Sequence, residues 1–146
     1  MAKTSGRHTQ ILDGYKAGGS RFNEWAEKHL GTFRLIQWEW GRLSMLWEID
    51  DRFLMPDGMM FGGHVAAVAD HVAGLAAMTV LEADDDRFRT SRLETTFFRP
   101  LTKPRATIEA RVVNASKSLI HVEADFLNAE DKLAARIAAV QAKRKE

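Results

Sequence analysis

The chain carries the sequence GMMFGGHVAAVADHVAGLAAM at residues 58–78, and this stretch decides the fold. Residues 63–81 contain no proline and only a few polar side chains, so apolar residues fall on every face of a helix there. The pattern predicts a core helix over 63–81 that is buried all round. Such a helix is about 30 Å long and could cross a bilayer. Asp70 and His71 in its middle, with charged segments on both sides, instead predict a soluble protein with no membrane partner.

Two features of this helix predict an active site. Gly62 and Gly63 leave the backbone N–H groups at the helix start uncovered by side chains, where the helix dipole favours a developing negative charge. Asp70 lies about two turns further along, and a buried carboxylate is unfavourable unless it is paired or used in function. The alternative is a structural Asp70, paired with His64, His71 or an arginine from a neighbouring strand.

Composition narrows the class of protein. The 146 residues suit a single domain, and 45% hydrophobic with 28% charged residues is ordinary for a globular protein. A net charge of +1 gives no field that would recruit nucleic acid. The absence of cysteine excludes disulfides and thiolate metal sites, and the first residues lack the apolar run of a secretory signal, which predicts a cytoplasmic protein.

The segments before the core helix differ in character. Residues 1–19 are polar and contain four glycines, which predicts a loose arm in front of a single domain over 20–146. Ser20 as N-cap and Gly31 as stop signal predict an amphipathic helix over 21–30.

Alternating apolar and polar residues then predict two strands that turn at Gly41. The connection over 51–61 is unusually apolar for a loop, which predicts that a subunit interface or an acyl pocket covers it. The acidic run over 82–87 favours a solvated turn rather than a metal site, because consecutive side chains do not easily converge on one ion. We therefore predict no metal.

Four further strands are predicted after the helix by β-branched, aromatic and alternating residues. They cover 90–99, 106–112, 120–126 and 133–140. The order of elements predicts an α+β protein in which an antiparallel sheet of about six strands wraps around one long central helix.

The residues around the helix start resemble a known family. Gly58, the pair Gly62-Gly63 and Asp70 stand at the spacing found in the hotdog-fold acyl-CoA thioesterases of the phenylacetate-degradation type. The segment TSRLETTFFRP over 90–100 resembles the strand after the helix in that family, including a hydroxyl residue, Thr90, ten positions before the proline. The likeness covers roughly residues 30–142 and implies the hotdog fold.

Two positions depart from the family pattern. Met55 stands where the family has an asparagine, and Phe61 stands where it has a histidine. Both family groups help to position the thioester or the attacking water. Their replacement favours a second hypothesis, a hotdog protein that binds acyl-CoA or another lipid-like ligand without hydrolysing it. Position 61 is a phenylalanine rather than a histidine, which also argues against a hotdog dehydratase.

The resemblance implies hydrolysis of aryl- or medium-chain acyl-CoA thioesters. Asp70 would act as general base or nucleophile, with the amide of Gly62 or Gly63 as oxyanion donor and Thr90 holding water or the carboxylate. Coenzyme A is then part of the substrate and no separate cofactor is expected. Six residues are predicted to bind substrate, the last three as a basic rim for the phosphates of coenzyme A: Met55, Phe61, His64, Arg99, Lys103 and Lys117.

The resemblance also implies an assembly. Two subunits in that family place their sheets edge to edge and their helices side by side, so that Asp70 of one chain faces the loop near Phe61 or Gly63 of the other. A homodimer or a homotetramer built from two dimers is therefore expected.

Overall fold

The computed structural model describes residues 6–83 and 87–144. It contains three α-helices: α1 (Gly6–Ala17), α2 (Arg21–His29) and α3 (Gly62–Met78). Its strands are β1 (Thr32–Glu39), β2 (Arg42–Glu48), β3 (Arg87–Phe97), β4 (Arg105–Ala115), β5 (Leu119–Leu127) and β6 (Leu133–Arg144). A short 3-10 turn, Asp51–Phe53, follows β2.

The six strands form one antiparallel sheet in the order β1-β2-β4-β5-β6-β3. Helix α3 packs on one face of this sheet, against β3, β4, β5 and β6. Alternating residues of each central strand, such as Ile120, Val122, Ala124 and Phe126 in β5, point into this contact and are buried. The predicted α+β hotdog architecture is confirmed.

The end of the sheet that carries β3 is open. β3 has eleven residues, and within the described part of the chain it pairs only with β6. The opposite edge strand, β1, is in contact with α1 and α2. Strand edges with free backbone groups are usually covered in native proteins, so the open β3 edge bears on the assembly.

The local signals before α3 behave largely as predicted. Ser20 caps α2 with its side chain, and Asn23 completes a capping box by accepting from the Ser20 backbone N–H. β1 and β2 turn at Gly41, which has a φ of +79°. The predicted acidic turn lies partly outside the described residues, because its residues 84–86 are not among them.

The prediction of a loose arm over residues 1–19 is wrong for residues 6–17, which form a helix that packs on β1 and α3. Residues 1–5 lie outside the described residues. His8, Leu12 and Tyr15 are its buried residues, at the i, i+4, i+7 spacing of one helix face. The sequence pattern hid this face because a histidine supplies one of its three positions and Gly14 lowers helix propensity in its middle.

Candidate active site around Asp70

Asp70 lies on the more exposed side of α3, next to the edge strand β3. It is exposed in the chain, as are Gly63 and Ala67 on the same face of the helix. The predictions of a helix buried all round and of a buried Asp70 are therefore wrong for the single chain. The physical reason is that the sheet covers one side of α3, and small apolar residues on the other side do not reveal whether the same chain or another covers them.

The carboxylate of Asp70 is held by a strand residue. The Thr90 hydroxyl donates to Oδ1 of Asp70 at 2.5 Å. A register shift in β3 between Thr90 and Arg92 marks a β-bulge, and bulges commonly re-aim a side chain next to a functional site. The structure thus brings together Asp70 and Thr90, two of the residues predicted for catalysis.

A third polar residue joins this pair. Gln141 in β6 is the pairing partner of Thr90, is only 1% exposed, and places Oε1 3.2 Å from Oγ1 of Thr90. The sequence analysis missed it. The available signal was the alternation of β6, where Ala135, Ile137 and Ala139 face the core and the next inward position is a glutamine.

A pocket of about 980 Å³ opens beside Asp70, between α2, α3 and the β3–β6 end of the sheet. This volume lies at the upper end of the range typical of small-molecule sites. Its lining is mainly apolar and aromatic, with two arginines. Outside α3, the lining includes Arg21, Phe22, Trp25, Phe88, Arg89 and Thr90.

Helix α2, predicted from the sequence as an amphipathic helix, supplies part of this wall. Phe22 and Trp25 are 39% and 49% exposed. The Trp25 ring lies 5.8 Å from the ring of His71 on α3. Large aromatic side chains left half exposed at a concave surface are typical of a ligand site.

His71 forms part of the pocket wall as an uncharged group. Burial lowers the pKa of His71 to about 4, against the opposing effect of the neighbouring Asp70 carboxylate. The buried Tyr15 hydroxyl is hydrogen-bonded to Nε2 of His71 at 3.0 Å. Helix α1 thereby fixes the orientation of a pocket residue.

The predicted oxyanion donors lie at the other end of the exposed face of α3. Phe61 is the N-cap of α3 and makes no side-chain cap hydrogen bond. The amides of Gly62 and Gly63 belong to the first helical turn, where no intrahelical acceptor exists. Seven or eight residues separate them from Asp70, a rise of about 10–12 Å along the helix. One chain therefore does not bring these amides to Asp70.

The predicted substrate-binding residues near the start of α3 have different surroundings. Met55 and Phe61 are exposed, Phe61 to 57%. His64 lies outside the pocket: its Nε2 donates to the Leu30 carbonyl at 2.6 Å and its ring stacks on Phe53. In the structure His64 ties the first turn of α3 to the end of α2.

The three predicted rim cations do not form one surface. Arg99 donates to the Leu133 carbonyl and Lys103 pairs with Asp51, both at the end of the sheet where α3 begins. Lys117 is exposed in the β4–β5 turn at the opposite end. Arg21 and Arg89, which the sequence analysis did not select, are the arginines that line the pocket.

The described residues contain no group of three or more histidine, cysteine, aspartate or glutamate residues able to hold a metal ion. No helix in residues 6–83 or 87–144 is long and apolar enough to cross a membrane.

Comparison with known proteins points to one family. The model of the thioesterase superfamily matches residues 57–135, which include α3, β3, β4 and β5. A protein provisionally named as an esterase from Saccharolobus solfataricus is 33% identical over 103 residues, covering 70% of this chain and 72% of that protein. A second, from Thermoplasma volcanium, is 29% identical over 111 residues, covering 73% and 82%.

Solved structures share the fold. A phenylacetic acid degradation-related protein from Ralstonia eutropha, provisionally described as a thioesterase, has a TM-score of 0.77 at 24% identity, with 94% of this chain and 99% of that chain covered. A hypothetical thioesterase from Streptococcus pneumoniae, solved with coenzyme A, has a TM-score of 0.77 at 12% identity, with 86% and 97% covered.

Proposed function

Because this chain belongs to the thioesterase superfamily, and is a thioester hydrolase by that membership, we propose that it hydrolyses aryl- or medium-chain acyl-CoA thioesters with Asp70 as general base or nucleophile. The observation that carries the proposal is a carboxylate held by Thr90 at the wall of a large, mainly apolar pocket. The coenzyme A bound to the Streptococcus pneumoniae protein supports a substrate of this class.

The pocket supports an aromatic or extended acyl group. Phe22, Trp25 and Phe88 offer aromatic surface, and the neutral ring of His71 adds to it without introducing a charge. Arg21 and Arg89 stand at the same cavity and form none of the ion pairs found among the described residues. Arginines in such positions suit the phosphates of coenzyme A, so we assign them the role first predicted for Arg99, Lys103 and Lys117.

The held carboxylate can act in either of two ways. Oδ1 accepts from Thr90, which leaves Oδ2 available to the substrate. As a general base, Asp70 takes a proton from water while that water attacks the thioester carbon, and the thiolate of coenzyme A leaves. As a nucleophile, Oδ2 displaces the thiolate to give a mixed anhydride, which water then cleaves. Both routes develop an oxyanion that needs hydrogen-bond donors.

Those donors require a second chain. An oxyanion donor must lie about 2.7–3.1 Å from the charged oxygen. The amides of Gly62 and Gly63 are too far from Asp70 of the same helix, by the helical rise given above. We infer that two copies of α3 lie side by side, so that Asp70 of one chain meets the Gly62-Gly63 amides of the other. The exposed face of α3 and the open edge of β3 support this dimer.

Release of free thiol tests the proposed function. We expect the protein to release coenzyme A from at least one aryl- or medium-chain acyl-CoA, such as phenylacetyl-CoA or octanoyl-CoA, with a higher kcat/KM than for acetyl-CoA. The reason is that a two-carbon acyl group leaves most of a 980 Å³ pocket unfilled. A thiol-reactive dye follows the reaction. Binding of the same thioesters without thiol release would instead support the ligand-binding alternative, which the replacement of the family groups by Met55 and Phe61 favours.

Light scattering at micromolar concentration tests the assembly. We expect twice or four times the mass of one chain, because Phe61, Phe97 and Phe98 are each more than half exposed in the single chain and lie near the open β3 edge. A monomer with full thioesterase activity would contradict the shared site.

A further inference from the structure

Gln141 occupies a position where the fold favours an apolar side chain. It lies on the inward face of β6, in line with Ala135, Ile137 and Ala139, all of which are buried. β6 is an interior strand, paired with β5 on one side and β3 on the other. Burying a polar amide at such a place is unfavourable unless its hydrogen bonds serve a purpose.

The hydrogen-bond donors and acceptors around Thr90 indicate what that purpose is. Oγ1 of Thr90 lies 2.5 Å from Oδ1 of Asp70 and 3.2 Å from Oε1 of Gln141, both of which are acceptors. A hydroxyl has one proton and cannot donate to both. The nearer, charged carboxylate takes it, because hydrogen bonds to ionised acceptors are the stronger ones. Oε1 of Gln141 would then face a lone pair of Thr90.

The nitrogen of the Gln141 side-chain amide leads to the same conclusion. Nε2 of Gln141 is buried and has no hydrogen-bond partner among residues 6–83 and 87–144. Turning the terminal amide by half a turn exchanges two atoms of similar size and brings Nε2 toward Oγ1 of Thr90. This orientation satisfies the buried donor and removes the opposed lone pairs. The atom left without a partner is then a carbonyl oxygen, which proteins tolerate better than a buried N–H.

We propose that Gln141 is a positioning residue that donates from Nε2 to Thr90, so that the single hydroxyl proton of Thr90 is directed to Oδ1 of Asp70. This inference rests on the proposed function and adds the group that orients its carboxylate. The chain Gln141–Thr90–Asp70 runs from an interior strand to the pocket wall. Pairing of Thr90 with Gln141 and the bulge after Thr90 fix its geometry.

The chain has a defined role in the reaction. With Oδ1 engaged by Thr90, Oδ2 is the oxygen presented to water or to the thioester carbon. Without the amide donor, the Thr90 hydroxyl can rotate away, and both the direction of the carboxylate and the choice of attacking oxygen become less fixed. The loss belongs to the chemical step rather than to substrate binding.

A kinetic double-mutant cycle tests the inference. Gln141→Met keeps the length and removes both hydrogen-bonding atoms, while Thr90→Val removes the hydroxyl and keeps the shape. We expect Gln141→Met to lower kcat about tenfold, with KM changed less than about twofold. In the Thr90→Val background the same substitution is expected to change kcat by less than about twofold, because Gln141 acts only through Thr90. An equal loss of kcat in both backgrounds, or no loss in the wild-type background, overturns the proposal.

Two further variants separate positioning from packing. Gln141→Glu matches the shape of glutamine, and its buried carboxyl can donate to Thr90 only while it is protonated, so its kcat relative to the wild type is expected to fall as rising pH ionises that carboxyl. Thr90→Ser keeps the hydroxyl and is expected to retain the dependence of kcat on Gln141. If the kcat of Gln141→Glu relative to the wild type does not change across the pH range in which the introduced carboxyl ionises, the proposed proton direction is wrong.

An unfolding cycle keeps this inference distinct from the proposed function. Urea midpoints of the wild type, Gln141→Met, Thr90→Val and the double variant report the contact in a protein that need not be active. We expect the double variant to lose less in midpoint than the sum of the two single losses. A protein that releases no thiol while showing this coupling overturns the proposed function and still supports the hydrogen bond. Additive losses overturn the inference.

Discussion

Asp70→Asn is expected to lower kcat about a hundredfold or more while leaving the fold intact, as for loss of a general base or nucleophile. Asparagine has nearly the same shape, and its Oδ1 can still accept the Thr90 hydroxyl, so the contact that holds the side chain survives. What disappears is the oxygen that takes a proton or attacks the thioester carbon. Because Asp70 is exposed in the single chain, little packing is at stake.

Thiol release from the best acyl-CoA, with circular dichroism as the check on folding, measures this effect. Glu130→Gln is the matched control, since it removes one exposed carboxylate in the β5–β6 turn away from the pocket. Its kcat should equal that of the wild type. Unchanged turnover in Asp70→Asn would remove Asp70 from the mechanism.

Gly62→Pro is expected to lower kcat about a hundredfold to a thousandfold, the usual loss for one oxyanion donor. The substitution deletes one backbone N–H at the first position of α3, where proline is well tolerated. Phe61 already has φ −63° and ψ 128°, the conformation that a residue before proline prefers. The nearest atoms to a Cβ added at Gly62 belong to the ring of Phe97, the closest at 3.4 Å.

Gly62→Ala is the control, because it adds the same Cβ and keeps the N–H. We expect it to retain most of the wild-type kcat, and the ratio of kcat between the alanine and proline variants isolates the donor. The same experiment is less clean at Gly63, where a Cβ would lie 2.5 Å from the ring of Phe61. Equal turnover in Gly62→Pro and Gly62→Ala would exclude the Gly62 amide and leave that of Gly63.

Much of the fold was predictable because its signals are local. The alternation in β2, β4 and β5, the Ser20 cap and the apolar run of α3 each act within a few residues. The order of these elements, together with the family resemblance, led to the hotdog architecture. Helix α1 was missed because tertiary packing of Leu12 and Tyr15, rather than local propensity, stabilises it.

The site was only partly predictable because its parts are far apart in sequence. Asp70 and Thr90 stood out through the helix and the resemblance, whereas Gln141 joins them only through strand pairing. Arg21 and Trp25 reach the pocket because α2 and α3 line the same cavity, an arrangement that no local pattern reports. Surface lysines and arginines such as Lys117 resemble binding groups in the sequence, since exposure alone does not tell which end of the sheet they occupy.

The central claim is that one active site is built from two chains, with Asp70 from one and the Gly62-Gly63 amides from the other. Mixing the Asp70→Asn and Gly62→Pro proteins under conditions of subunit exchange tests it most directly. Each mixed dimer would contain one site with an intact Asp70 and an intact donor, so an equal mixture is expected to recover about a quarter of the wild-type turnover. Mixed dimers that native mass spectrometry detects but that stay as inactive as the two parent variants would contradict the claim.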